Sequence, residues 1–137
     1  MSDLREIGLF TLLESNTTVS MQEAADDEKV LFTCPPDKEA IISAVVIREL
    51  SAGCPTAVMT FGVNTGSCDD FLAAQTLSAC DGVTKYAVLY PDQGTSQTPE
   101  GGVIMTAGDT FRMEVTTQDV DGGTATIDVF GYLYDAP

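Results

Sequence analysis

The chain has 137 residues, 44% of them hydrophobic, which suffices for one domain with its own core and is too apolar for a disordered tail. Six basic residues against 21 acidic ones leave a net charge of −15, a field that repels nucleic-acid phosphates and anionic membrane surfaces alike. No run approaches the roughly 18 apolar residues of a membrane helix, and the opening MSDLREIGLF lacks a basic n-region and a cleavage site, so synthesis and folding in a cytoplasm are expected.

Residues 7–13 form an apolar run. Residues 14–29 are polar, carry an acidic cluster, and read as loop, with a short strand near 18–21 or a helical turn near 22–27. Residues 29–34 alternate, placing Val30, Phe32 and Cys34 on one face. Pro35 and Pro36 cannot donate to a ladder and end that strand. Residues 40–50 read as a strand with two apolar faces: Ile42, Ala44 and Val46 on one side, Ile41, Val45 and Ile47 on the other. A sandwich strand needs only one such face. A second one calls for coverage by a loop, by the N-terminal segment or by another subunit.

After the turn SAGCP, Ala57, Met59, Phe61 and Val63 alternate with Val58, Thr60, Gly62 and Asn64, as in a half-buried strand. Residues 64–70 are loop; residues 71–77 fit a short helix or a strand, with an irregular segment the preferred reading. Residues 83–90 read as a strand with Tyr86, Val88 and Tyr90 on one side. A long polar loop covers 91–102, a short strand 103–105, and the turn AGD follows. Phe111, Met113 and Val115 point one way, Arg112, Glu114 and Thr116 the other. DVDGG is a hairpin signal. The closing strand, 124–134, puts Ala125, Ile127, Val129 and Leu133 on one face, and on the other Thr126 and Asp128, then Phe130, Tyr132 and Tyr134.

Eight to nine short strands without an amphipathic helix define the class: all-β, a single antiparallel β-sandwich or jelly-roll domain of about eight strands. The expected organisation is an N-terminal segment, residues 1–28, acting as an arm or edge strand, followed by a β-sandwich domain over residues 29–137.

Residues for catalysis are scarce. Histidine is absent, which removes most nucleophile–base pairs and the commonest metal ligand. Cys34, Cys54, Cys68 and Cys80 form no C-x-x-C pair, so zinc is not expected. The last three sit in AGC, GSC and SAC, where one disulfide can form in an oxidising exterior; four free thiols is the preferred reading. EGGV and DGGT sit in turns between strands, not before helices, and so are not phosphate loops. Asp119, Asp121 and Gly122 have a faint likeness to a calcium loop, but the following GTATID lacks the bidentate Glu. No enzyme activity, cofactor or metal is expected.

LFTCPPDKEAIISAVVIREL, taken with the ending AGDTFRMEVTTQDVDGGTATIDVFGYLYD, resembles small β-sandwich virion proteins of tailed bacteriophages, of the capsid decoration (cement) or head-fibre type. The shared features are Thr33 with Pro35, Lys38, the Ile41, Ile42, Ser43 strand, the Gly108, Asp109 turn, and Val129, Phe130, Gly131, Tyr132. They cover residues 29–50 and 107–135; the middle matches no pattern. The resemblance implies a non-enzymatic protein on the capsid exterior, assembled in the host cytoplasm, with the major capsid protein and its own copies as partners, as a homotrimer. It brings no catalytic residues.

The expected function is therefore stabilisation of the head shell through subunit contacts, with no nucleic-acid or membrane partner. The expected contact residues are Ile7, Leu9 and Phe10 in the N-terminal segment, with Phe130, Tyr132 and Tyr134; the alternative is that all six are ordinary core. A second reading is a receptor- or glycan-binding module of a head fibre or tail, with loops 91–102 and 64–70 as its site. A third is an acidic β-sandwich enzyme or calcium-binding domain.

Overall fold

A computed structural model describes residues 10–22, 28–63, 68–91 and 103–137. They form nine strands in two antiparallel sheets. One sheet runs β1 (Thr11–Ser20), β9 (Thr124–Asp135), β3 (Lys38–Arg48), then β6 (Ala87–Leu89), with β7 (Val103–Met105) also on β3. The other runs β2 (Glu28–Thr33), β8 (Thr110–Thr117), β4 (Val58–Gly62), β5 (Leu72–Thr76). The pairs β1 with β9, β2 with β8, β3 with β6 and β7, and β4 with β5 are nested, as when one long antiparallel ribbon is rolled over itself. That is the jelly-roll arrangement of a β-sandwich.

The core lies between the sheets. From one side it takes Ile42, Val45, Ile47, Ile127 and Val129, from the other Met59, Phe61, Phe111 and Val115, all essentially without exposure. Phe111 meets Phe71 edge to face at 5.3 Å and stacks on Phe61 at 6.3 Å. Strands β4, β8 and β9 send alternate residues into the core: Met59 and Phe61, then Phe111, Met113 and Val115, then Ala125, Ile127 and Val129.

Strand β3 does not. Its pairing with β9 shifts between Ile42 and Ala44, leaving Ser43 as a β-bulge. The extra residue changes the phase, so Ala40 and Ile42 before it and Val45 and Ile47 after it all enter the core. The stretch that looks apolar on both faces is thus mostly one inward face read across a bulge; Ile41 and Val46 remain outside, half-buried. The expectation that Val45 and Ile47 oppose Ile42 is corrected. Strand β2 has a similar irregularity between Val30 and Phe32. Leu31 and Phe32 go inward and Val30 outward, so Val30 does not share a face with Phe32.

Four other expectations change. The polar ESNTTVS belongs to β1 and is not a loop. LAAQT, expected to be irregular, is β5, at a sheet edge. The strand expected over 83–90 is only three residues long, because residues 83 and 84 form a turn. DVDGG does not close a hairpin: it carries the chain from β8 in one sheet to β9 in the other.

Candidate functional site

The outward face of the five-stranded sheet is apolar over much of its width. Strand alternation fixes which residues lie there, since their neighbours along the strand fill the core. Leu12 on β1 sits opposite Phe130 on β9; Tyr132 on β9 opposite Ile41 on β3; Ile41 in turn opposite Ile104 on β7. Val46 lies opposite Val88 on β6. Leu12 is 48% exposed and Ile104 64% exposed, high for isoleucine and leucine in ordered strands.

Phe10 anchors one side. Its ring stacks on Phe130 with centroids 5.8 Å apart and planes 4° from parallel, and meets Tyr132 edge-on at 5.7 Å. Phe10 itself remains 53% exposed. Three of the six expected contact residues are therefore in one cluster, outside the core. Tyr134 continues the same face of β9 opposite Glu39; burial, with the Glu39 charge beside it, pushes its phenol up. Ile7 and Leu9 lie outside the described residues. Leu12 and Ile104 are not among the expected contact residues, nor is Val88, which the sequence places on one strand face with Tyr86 and Tyr90. An F-x-L alternation at Phe10 and Leu12 was a signal for the first; nothing local marks Ile104, whose role comes from pairing with β3.

The other end of this face is polar. Arg48 Nε donates to Asp128 Oδ2 at 2.7 Å and Ser15 Oγ to Asp128 Oδ1 at 2.5 Å. Arg48 Nη1 reaches Glu49 Oε1 at 2.9 Å, and Thr126 Oγ1 donates to Glu49 Oε2 at 3.0 Å. The Asp128 side chain keeps only 7% of its surface, so its charge is stabilised by these two donors and by little water. A compact ionic network thus borders an apolar field.

The outward face of the four-stranded sheet differs. There Glu28, Glu114 and Thr60 line up across β2, β8 and β4, and Arg112 Nη1 donates to Glu28 Oε2 at 2.8 Å. Cys68 lies beside this charged row, and burial, with the Glu28 charge next, pushes its thiol up to about 12. The two faces of the sandwich are chemically unlike.

Asp119, with its faint sequence likeness to a calcium-loop position, holds backbone instead. Its carboxylate accepts from the backbone N–H of Thr56 at 3.0 Å and of Asp121 at 2.9 Å. Among the described residues no three Cys, Asp or Glu side chains gather to hold a metal ion. The loops named for glycan binding lie largely outside the described residues.

No family model and no curated protein matches this chain. Solved structures do. The chain is similar to one in a structure described as "Cyanophage Pam1 capsid asymmetric unit", with 17% identity, a TM-score of 0.56, and coverage of 96% of this chain and 87% of that one. It is likewise similar to a chain of "Capsid of Ralstonia phage GP4", with 18% identity, a TM-score of 0.59 and the same coverage. At these identities what is shared is the fold.

Proposed function

We propose that this chain is a structural protein of a tailed-phage virion: a decoration, or cement, protein that seats on the capsid exterior through the outward face of its five-stranded sheet. The observation that carries this reading is the contiguous apolar field of Phe10, Leu12, Ile41, Ile104 and Tyr132 on a chain of net charge −15. A protein so acidic is soluble without effort, so an ordered apolar sheet face is a surface made to be covered. The likeness of fold to two chains from phage capsid structures supports the capsid as the covering partner.

The mechanism is mass action. Each copy buries surface against major capsid subunits and, in this reading, against two further copies in a trimer. Free energy of docking is then available only to the assembled shell, which is stabilised against expansion. In this reading Ile7 and Leu9, outside the described residues, are contact residues as well. In this reading the net charge of −15 keeps decorated particles apart.

Co-sedimentation with heads lacking the protein tests this. The intact chain is expected to bind saturably. A double variant, Leu12→Asp with Ile104→Asp, is expected to lose binding at least tenfold while keeping the β circular-dichroism spectrum. Absence of binding by the intact chain, or undiminished binding by the folded variant, would sink the proposal.

A further inference from the structure

We propose that Cys54 and Cys80 are a disulfide-forming pair, closed in the folded protein by a disulfide oxidant of the oxidised-glutathione class. In this structure both are free thiols. They are far apart in sequence and belong to the turns on either side of β4 and β5. The Cys54 N–H donates to the Cys80 carbonyl at 2.7 Å. A backbone bond between the two residues themselves brings their α-carbons close together. Disulfides bridge α-carbons roughly 4.4–6.8 Å apart.

The neighbouring residues hold this approach in place. A methyl group on Gly53 would stand 2.7 Å from the Asp81 carbonyl carbon, so the two backbones are as close as glycine permits. Leu77 N–H donates to Ala57 O at 3.0 Å, Ala57 N–H to Cys54 O at 3.2 Å, and Cys80 N–H to Leu77 O at 2.9 Å. Both side chains enter the same core cluster. Burial pushes the Cys54 thiol up to about 11, with the nearby Cys80 sulfur the next cause. The other two cysteines serve as internal controls: Cys34 Sγ lies against the Lys38 carbonyl and Cys68 Sγ against that of Gly62, away from this pair.

Both thiols are fully covered, so reaction proceeds when these turns open, which the exposed Ser51, Thr56, Ser78, Ala79 and Asp81 around them allow. One thiol loses its proton and attacks a sulfur of oxidised glutathione, expelling one glutathione thiolate and leaving a mixed disulfide. The second cysteine, as thiolate, attacks the protein sulfur of that bond, forms the Cys54–Cys80 bond and expels the second glutathione thiolate. The two protons end on the two glutathiones; the protein is oxidised by two electrons and one glutathione disulfide is reduced to two thiols.

The test is to hold the intact chain at pH 8 in low urea with excess oxidised glutathione, alkylate it in denaturant, and map the peptides. The expected result is two alkylated cysteines, Cys34 and Cys68, with Cys54 and Cys80 in one linked peptide lighter by two hydrogen atoms. The oxidised chain is expected to unfold at higher urea than the reduced one, and C80A to show neither the link nor the shift. Four alkylated cysteines, a link through Cys34 or Cys68, or an equal shift in C80A would overturn the proposal. A C54A variant tested in parallel covers the case in which C80A does not fold.

Discussion

Gly131 and Ile41 touch through backbone alone: a methyl group on Gly131 would stand 3.0 Å from the Ile41 carbonyl carbon, with the carbonyl oxygen closer still. The bulge at Ser43 lies two residues further along, and Gly131 is the β9 residue opposite Ile42 where the register shifts. Glycine is what lets the bulged strand lie this close to the central strand. Gly131→Ala is therefore expected to cost about 2–3 kcal/mol, as for an overpacked core position. Urea unfolding checks this, and an Ala variant as stable as the native chain refutes it.

Asn16 joins the two sheets at their open edge. Its Nδ2 donates to the Leu31 carbonyl on β2 at 2.9 Å and to the Ile127 carbonyl on β9 at 3.3 Å. Asn16→Ala leaves the Leu31 carbonyl without this donor and is expected to cost about 1–2 kcal/mol. Asn16→Asp, which presents a charge to two carbonyl oxygens, is expected to cost more. Thermal melts of the two variants give the order directly.

Asp119 sets an acid limit. The Thr56 backbone N–H, then the Thr56 hydroxyl and the Asp121 N–H, hold its carboxyl below the usual 3.8. The folded chain then binds the proton less readily than the unfolded one. Its contribution is complete above pH 3.8 and is lost as pH falls through the folded value. Stability measured between pH 6 and 2 should fall more steeply for the native chain than for Asp119→Asn. Parallel curves would refute the assignment.

The thiols set an alkaline one. Burial pushes Cys54 up to about 11 and Cys68 up to about 12, from 9.0. Here the folded values are the higher, so the contribution is complete below pH 9.0 and is lost as pH rises toward 12. Cys68→Ala is expected to flatten the fall in stability between pH 9 and 11. A fall unchanged in the variant would count against burial as its cause.

Asp37 occupies a left-handed conformation, φ 61°, in the turn that Lys38 N–H closes on Pro35 O at 3.3 Å. Proline at the second turn position and positive φ at the third are the type II pattern. Asp37→Val is expected to destabilise by about 1–2 kcal/mol and Asp37→Gly by far less. Equal melting temperatures for the two would show that the conformation is not strained.

Period-two patterning made β4, β8 and β9 legible, because Met59 and Phe61, or Ile127 and Val129, fill one face without interruption. Bulges hid the rest. An inserted residue such as Ser43 leaves no mark in composition, so two inward segments of opposite phase look like one strand apolar on both sides. Strand β1 was obscured for another reason: it is an edge strand with Asn16 facing the sheet gap and Thr18 at positive φ, and neither is a strand signal. Of the candidate surface, the aromatics on β9 were legible; Ile104 was not, since only the fold brings residues 41 and 104 together.

The nested pairing has a consequence in time. β9 is the partner of both β1 and β3, yet it is made more than a hundred residues after β1. Until residues 124–135 leave the ribosome, β1 has no neighbour in its sheet and β3 lacks its longest one. The five-stranded sheet is therefore completed only after synthesis of its central strand, and its closure is a slow, long-range search compared with helix or hairpin formation.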